Sequence, residues 1–206
     1  MKVLLVNGSA RKDGCTYTAL MEVAKPLHEN GIETELFHIG TDPVRGCLNC
    51  RACLKLQKCV QDDDICNELS DKIAASDGVV IGSPVFYAGP SGALCAVLDR
   101  VFFSSAKRFL HKPAAAVVNC RRGGASSAFD RLNKYFTITQ MPVISSQYWN
   151  ATHGFKPDDV LRDAEGLQTM RTIGRNMAWL LKLIEAGIPP LPQEEKREFT
   201  SFPDGK

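Results

Sequence analysis

Short apolar runs rich in valine and isoleucine recur along the chain, and stretches with helical spacing lie between them. The runs are Lys2–Asn7, Glu33–Ile39, Gly78–Ser83, Ala114–Cys120 and the shorter Met141–Ser146. Runs that are apolar throughout are typical of strands covered on both faces, as in a parallel sheet. The alternation therefore predicts an open, doubly wound α/β sheet of five strands, with right-handed crossovers that place helices on both faces.

The helical stretches between the runs are Thr16–Asn30, Ile65–Ala75, Gly89–Ser104 and Ser126–Phe136. A long helical pattern then covers about Asp158–Ala186, where two glycines weaken the prediction of one unbroken helix. This pattern predicts a C-terminal helical extension within a single domain over residues 1–187. The remainder, 188–206, contains scattered proline and phenylalanine, and we predict an irregular tail that lies over a partner subunit.

Charge and hydropathy exclude several classes of partner. The formal net charge of +2 is too small to indicate binding to nucleic acid or to an anionic membrane. The apolar residues after Lys2 are too few for a signal peptide, and no apolar run reaches the roughly 18 residues of a membrane span. We therefore expect a cytoplasmic protein with no nucleic-acid or membrane partner, in which cysteines are normally reduced.

The loop NGSARKDGCT follows the first apolar run and leads into the first helical stretch. A helix N-terminus offers free backbone N–H groups and a positive dipole end, which together suit a phosphate group. Ser9, Cys15 and Thr16 add side-chain donors, and Arg11 adds positive charge. The loop has neither the G-x-G-x-x-G nor the Walker A pattern. From its residues alone, an ordinary capped loop explains it equally well.

Four of the eight cysteines fall within fourteen residues, in the pattern Cys47-x2-Cys50-x2-Cys53-x5-Cys59. The expected reducing compartment makes a disulfide framework the least favoured explanation. Four thiolates suit an iron–sulfur cluster or a tetrahedral zinc ion, and free or redox-active thiols are the third interpretation. Cys66 and Cys95 lie instead on helical patterns, where we expect them to be buried as small apolar side chains.

Two separated motifs resemble those of one family. The stretch GSARKDGCT is similar to the loop that binds the FMN phosphate in flavodoxin-like NAD(P)H-dependent FMN reductases. The stretch SPVFYAGPSGALCAVLDRVF is similar to the segment that borders the flavin ring, and NCRRGGASSAFDRLNKYF resembles the family's fourth strand–helix loop. The resemblance covers Lys2–Leu183 and points to the multimeric flavodoxin, WrbA-like and iron–sulfur flavoprotein branch. It implies a flavodoxin-like sheet with strand order 2-1-3-4-5 and a bound FMN.

The resemblance implies three groups of FMN-binding residues and no catalytic side chain. The group for the phosphate is Ser9, Arg11, Cys15 and Thr16. The group beside the isoalloxazine ring is Pro84, Val85, Phe86, Tyr87, Ala88 and Gly89, and the group that closes the other side is Cys120, Arg121, Arg122, Gly123 and Gly124. The chain departs from the family pattern at Cys15, where many relatives have Asn. It departs again at Ala96, where Lys is frequent.

The implied activity is hydride transfer from NAD(P)H to FMN, then electron transfer to an acceptor such as a flavin, a quinone, or an azo or nitro compound. The cysteine spacing matches that of iron–sulfur flavoproteins, where Cys47, Cys50, Cys53 and Cys59 would hold a 4Fe-4S cluster. The alternative function is therefore an electron carrier supplied by a ferredoxin-like donor, and a flavin or redox sensor is a third. The family also implies a homodimer or homotetramer.

Three other features stay open between structural and functional roles. Tyr148 and Trp149 belong either to the core, to a subunit interface or to the wall of the flavin site. Arg121 and Arg122 are either flavin contacts or a solvated surface pair. His153 has no partner that can be identified from sequence, and we expect a structural or surface role for it.

Overall fold

The computed structural model describes residues 1–187, 190–193 and 195 of the chain. Its strands are β1 (Lys2–Asn7), β2 (Glu33–His38), β3 (Gly78–Pro84), β4 (Ala114–Cys120) and β5 (Ala151–His153). Its helices are α1 (Cys15–Glu29), α2 (Cys53–Leu56), α3 (Cys66–Ala74), α4 (Gly92–Ser105), α5 (Ala125–Ile138), α6 (Pro157–Val160) and α7 (Ala164–Glu185), with a 3₁₀ turn at Ala106–Arg108. Among these described residues no helix has both the length and the hydropathy to cross a membrane.

The five strands form one parallel sheet in the order β2-β1-β3-β4-β5. The side chains of successive β1 residues point to opposite faces of the sheet, as the two-residue repeat of a strand requires. Leu4 and Val6 join the core beneath α3, α4 and α5, whereas Val3 and Leu5 join the core beneath α1 and α7. Both faces are covered, which explains the uninterrupted apolar runs. The predicted fold class and strand order are confirmed.

The fifth strand does not lie where the sequence predicts it. Met141–Ser146 makes a single bridge to the start of β4, between Ala114 and Val143, and the last strand is the three-residue segment Ala151–His153. Pro142 has no N–H to donate, so this run cannot continue as a regular ladder. The prediction of a strand at Met141–Ser146 is therefore wrong, although the count of five strands is right.

The C-terminal extension is two helices, because the chain turns between α6 and α7. Asp163 caps α7 by accepting a hydrogen bond from the Gly166 N–H at 3.0 Å, so Gly166 lies in the first turn rather than at a break. Gly174 lies inside α7, where the helix crosses α1. A Cβ there would be 2.4 Å from Pro26 Cγ and 2.5 Å from the Val23 carbonyl oxygen. The helix crossing therefore requires this glycine.

A buried carboxylate joins the same two helices. Glu22 of α1 accepts hydrogen bonds from Lys25 and from Arg171 of α7. Burial opposes its ionisation, but these two cations outweigh that effect and lower the pKa of Glu22. Most of the predicted tail, 188–206, lies outside the described residues, so its irregular form and the domain boundary at 187 stay predictions.

We predict that Gly174→Ala destabilises the fold by about 1–3 kcal/mol, because the added methyl group meets a proline ring and a backbone carbonyl that cannot both move aside. The measurement is the urea unfolding midpoint at constant m-value. The matched control is Gly92→Ala at the start of α4, where a Cβ meets nothing within 4 Å. Equal stability of the two variants would contradict this account of the helix crossing.

Candidate functional site

A cavity of about 350 Å³ opens at the carboxyl edge of the sheet, where β1, β3 and β4 end. In a doubly wound sheet this edge is where helices diverge to opposite faces and leave a crevice. The residues that line the cavity are Ser9, Ala10, Arg11, Cys15, Thr16, Pro84, Val85, Phe86, Asn119, Arg121, Gly154 and Phe155. All four residues predicted for the phosphate are among them, together with three of the six predicted for the ring.

Asn7, the last residue of β1, shapes the first loop of the cavity. Its amide nitrogen donates to the Lys12 carbonyl at 2.9 Å, and its side-chain oxygen accepts from the Ser9 N–H at 3.1 Å. The Ser9 hydroxyl oxygen in turn accepts from the Arg11 N–H at 3.1 Å. His38 at the end of β2 holds the Ser9 carbonyl at 2.7 Å. The loop is therefore fixed by side chains that the sequence motif does not include.

No side chain caps the N-terminus of α1, since its N-cap residue is Gly14. Within the described part of the chain, the first backbone N–H groups of the helix donate to no other residue, which is the usual condition for anion binding at a helix start. The exposed side chain of Arg11 and the buried Thr16 lie at the same end of the cavity. Burial raises the pKa of the Cys15 thiol, so this group stays neutral near pH 7 and adds no repulsion toward an anion.

Two glycines let the loop approach the central strand closely. Gly8 donates its N–H to the Gly82 carbonyl at 2.8 Å, and a Cβ on Gly8 would lie 2.5 Å from Leu94 Cδ2. A Cβ on Gly82 would lie 2.8 Å from Thr16 Cγ2. Ser91 closes the arrangement, because its hydroxyl donates to the Gly8 carbonyl at 2.7 Å and caps α4. Space for a ligand remains above these contacts.

The loop after β3 contains a tight turn at Phe86–Gly89. Phe86 and Gly89 exchange both backbone hydrogen bonds, and the central residues Tyr87 and Ala88 have positive φ angles of 49° and 61°. This is the geometry of a type I′ turn, which normally carries glycine or asparagine at those positions. Non-glycine residues held in this region are strained, and such strain concentrates at functional sites. The turn presents the fully exposed Tyr87 outside the cavity.

The loop after β4 serves two cavities. Arg121 lines the first cavity, whereas Arg122, Gly123 and Gly124 line a neighbouring one of about 260 Å³. Cys120 is buried and lines neither. Among the described residues no side chain pairs with either arginine. The third predicted group is therefore divided between the two cavities. From the second predicted group, Tyr87, Ala88 and Gly89 lie outside the first cavity.

Tyr148 and Trp149 line the second cavity, with their ring centroids 4.9 Å apart. More than half of each side chain is exposed, so a place in the core is excluded. His153 lies beside the same cavity, with Nδ1 3.5 Å from the Asp163 carboxylate. Three further residues of the first cavity lie outside the predicted groups, namely Asn119, Gly154 and Phe155, although Asn119 begins the third family-like stretch. Asn119 donates to the Thr152 hydroxyl at 3.0 Å and so joins β4 to β5.

The four clustered cysteines surround one small cavity of about 20 Å³ at the foot of α4. All four are free thiols, and among the described residues no three histidine, cysteine or acidic side chains stand close enough together to hold a metal ion. Cys66 and Cys95 lie apart on α3 and α4, where Cys66 is buried as expected but Cys95 is only partly buried. Burial raises the pKa of Cys66 to about 12, which makes it an inert thiol.

The backbone of the cysteine loop nevertheless fits a thiolate-bound centre. Asn49, Arg51 and Gln57 have positive φ angles of 50°, 58° and 55°, although none of them is glycine. Gln57 ends α2, with its N–H bonded to the Cys53 carbonyl, whereas the Asn49 N–H donates to Cys47 Sγ at 3.4 Å. Backbone N–H groups next to left-handed residues are a known way of forming concave sites for anions, including iron–sulfur clusters. The buried guanidinium of Arg100 lies in the wall of the same cavity. The donor set, the backbone and the buried positive charge are thus compatible with an anionic cluster.

Comparison with known proteins agrees with this geometry. The family model described as NADPH-dependent FMN reductase matches residues 1–156. An iron-sulfur flavoprotein of Methanocaldococcus jannaschii is 31% identical over 193 residues, which cover 90% of this chain and 100% of the relative. An NADPH azoreductase of Bacillus sp. (strain OY1-2) is 27% identical over 133 residues, 65% of each chain.

A solved structure shows the same fold. The flavodoxin, WrbA-like protein from Agrobacterium tumefaciens superposes with a TM-score of 0.61 at 15% identity, covering 88% of this chain and 97% of that one. At this identity the likeness concerns the fold alone. The helix-flanked parallel sheet with its open carboxyl edge is thus a known architecture.

We predict that Arg11→Gln weakens FMN binding by about 10- to 100-fold, because one charged hydrogen bond to phosphate contributes about 1.5–3 kcal/mol. Riboflavin, which lacks the phosphate, should bind both proteins equally. Quenching of flavin fluorescence measures both affinities. Lys12→Gln is the matched control, since Lys12 is exposed next to Arg11 but does not line the cavity. An equal loss in both variants would indicate a general charge effect instead.

Asp64 gives a pH-dependent prediction, since it forms a buried ion pair with Arg100. Burial raises the pKa of Asp64, but the hydrogen bonds from Arg100 and from the Cys66 backbone lower it by more, so the net shift is downward. A lowered pKa in the folded state means that the pair stabilises the fold above about pH 4 and is lost as the pH falls through that lowered value.

We therefore expect Asp64→Asn to cost about 3–5 kcal/mol at pH 7, because it leaves a buried guanidinium without its counter-charge. The difference from the parent protein should shrink as the pH falls below about 4. Urea unfolding at a series of pH values measures it. Asp63→Asn removes an exposed pair with Arg45 and should cost less than about 1 kcal/mol. A pH-independent difference for Asp64→Asn would contradict the assigned pair.

Proposed function

The chain belongs to the NADPH-dependent FMN reductase family and is related to the iron-sulfur flavoproteins, and from this we propose that it is an FMN-dependent NAD(P)H oxidoreductase. We propose that hydride passes from NAD(P)H to bound FMN and that electrons then reach an acceptor such as a flavin, a quinone, or an azo or nitro compound. The observation that carries this proposal is the cavity where the first loop, Pro84–Phe86 and Arg121 meet at the carboxyl edge of the sheet.

The first loop would hold the phosphate end of FMN. The uncapped start of α1 supplies backbone N–H donors, and Arg11 supplies a charge that nothing else in the described chain neutralises. Ser9 and Thr16 add hydroxyl groups, and the neutral Cys15 thiol adds a weak donor.

The other end of the cavity suits a flat, apolar ring. Pro84, Val85 and Phe86 line the cavity, and so does Phe155 on the segment after β5. FMN, when bound, supplies the hydride and electron chemistry, so no side-chain acid or base is needed. Arg121 brings a positive charge into the cavity, where it would stabilise negative charge on the reduced ring.

The mouth of the cavity remains open for a second planar molecule. Phe86 and Phe155 are each more than half exposed, although both line the cavity. Aromatic surface in this position favours stacking of a nicotinamide ring and, after its departure, of an aromatic acceptor. The azoreductase among the relatives supports azo compounds as one acceptor class. One shared binding surface implies that donor and acceptor bind in turn.

The second candidate function is electron transfer through a 4Fe-4S cluster on Cys47, Cys50, Cys53 and Cys59. The observation that favours it is the surface around these thiols. Its apolar side chains Leu48, Leu54, Leu56, Val60 and Phe103 are each about half exposed or more. The exposed Arg51, Lys55 and Lys58 lie among them. An apolar patch with a basic rim suits docking of an acidic, ferredoxin-like donor.

We also propose a homodimer or homotetramer in the cytoplasm. The exposed aromatic and aliphatic side chains at the cavity mouth and on α7, such as Tyr87, Trp179 and Leu183, support an assembly. Light scattering of the purified protein measures the state. A monomer at all concentrations would contradict this part of the proposal and leave the redox proposal intact.

Anaerobic rapid mixing of the FMN-loaded protein tests both functions. Loss of flavin absorbance within seconds of adding NADPH or NADH, and its return with a quinone or azo dye, is expected for the reductase. The variant Cys47→Ser/Cys50→Ser removes two thiols without touching the flavin cavity, and it should react with NAD(P)H as the parent does. Reduction by a low-potential ferredoxin alone, lost in this variant, would support the electron carrier. Failure to take up FMN would overturn both.

A further inference from the structure

Arg100 is a fully buried guanidinium whose partners all belong to the segment that carries the cysteine cluster. It lies on α4, and 0% of its side chain is exposed. Its Nη1 pairs with Asp64 and donates to the Arg45 carbonyl at 3.1 Å, and its Nη2 donates to the Gln61 carbonyl at 2.7 Å. Its Nε donates to Cys59 Sγ at 3.3 Å. One side chain thus joins α4 to both ends of the loop 45–64.

The hydrophobic core does not require this charge. Neighbouring positions of α4, namely Leu94, Val97 and Val101, already bury the apolar face of the helix. A buried ion pair stabilises a fold little or not at all relative to apolar residues of similar volume. A buried arginine in this position, with a sulfur atom among its acceptors, therefore indicates a role beyond packing.

Cys59 differs from the other three clustered cysteines in how it is held. Asn67 of α3 binds its backbone from both sides, with the Cys59 N–H donating to Asn67 Oδ1 at 3.0 Å and Asn67 Nδ2 donating to the Cys59 carbonyl at 3.0 Å. Arg100 binds its sulfur. Cys47 and Cys50, by contrast, are exposed, and Cys53 is buried at the start of α2. Cys59 is the anchored thiol around which the others must close.

We propose that Arg100 is a positioning residue that fixes Cys59 as the first ligand of a cluster and raises the reduction potential of the bound cluster through its Nε–H···S hydrogen bond. This inference rests on the iron–sulfur proposal. Reduction adds one electron to the centre and negative charge to its sulfur atoms, and no bond forms or breaks. A hydrogen bond to sulfur therefore favours the reduced form. The positive charge of Arg100 is paired with Asp64, so the effect rests on the hydrogen bond to sulfur.

The position of Arg100 also ties the thiols to the flavin cavity. Ser91 caps α4 and binds the Gly8 carbonyl beside the first loop, and Arg100 follows nine residues later on the same helix. At 1.5 Å per residue the helix spans about 14 Å between these two points. A change at Arg100 should therefore release the cysteine loop without moving the flavin loops.

The first test is the potential of the reconstituted cluster in Arg100→Lys and Arg100→Gln, followed by electron paramagnetic resonance during a redox titration. We expect each variant to favour the oxidised cluster about tenfold more than the parent does, a shift of about −59 mV for one electron. Arg108→Lys is the matched control, because Arg108 pairs with Asp71 near the same helix and touches no cysteine. FMN affinity should stay unchanged in all three.

Parent-like potentials in both Arg100 variants at full iron content would overturn the proposal. If the parent protein takes up no iron, the cluster proposal is wrong, and the proposed role of Arg100 in setting the reduction potential is wrong with it. The NAD(P)H reaction of the flavin then still decides the reductase proposal separately.

The second test needs no metal and no change at Arg100, so it holds even if the arginine variants do not fold. The side-chain N–H signals of arginine are followed by nuclear magnetic resonance in the metal-free protein. Cys59→Ala should shift the Arg100 Nε–H signal and speed its exchange with solvent. Cys47→Ala, which removes a thiol that Arg100 does not touch, should not. Identical Arg100 signals in both variants would overturn the positioning role.

Discussion

The contact between Gly8 and Gly82 is the constraint on which the rest of the site depends. The first loop can approach the central strand only because neither residue has a side chain, and the Gly8 N–H then binds the Gly82 carbonyl at 2.8 Å. From this contact α1 leaves toward one face of the sheet and α4 toward the other. The crevice between the two helix starts is the cavity, so its position follows from the topology.

Helix α4 extends this constraint to the cysteine loop. Its first turn is tied to the Gly8 loop through Ser91, and its middle is tied to Cys59 and Asp64 through Arg100. A helix of fourteen residues is a rigid element. Because both the flavin cavity and the cysteine loop are attached to it, their relative positions are fixed. If the proposed cluster is present, this arrangement would keep it at a fixed separation from the flavin, which serves electron transfer better than placement on independent loops.

The sequence predicted those parts of the fold that depend on local pattern. Strands β1, β3 and β4 are buried on both faces, so their apolar runs were unambiguous, and the strand order followed from the family resemblance. The last strand was misplaced because three residues are too few to give a period. From the sequence, Gly174 only weakens the prediction of an unbroken helix. In the structure its missing side chain is what allows α7 to pack against Pro26 of α1, a contact between residues far apart in sequence.

The same division applies to the site. The phosphate loop is contiguous, so a motif could identify Ser9–Thr16, whereas Gly154 and Phe155 join the cavity only through the pairing of β4 with β5. For the cysteines, the spacing identifies four sulfur donors but says nothing about the residues around them. The same spacing is compatible with a zinc site, with an iron–sulfur cluster and with free thiols. The structure adds a buried guanidinium on one sulfur atom. That guanidinium is already paired with Asp64, and under the cluster proposal its hydrogen bond to Cys59 Sγ would also stabilise an anionic thiolate centre.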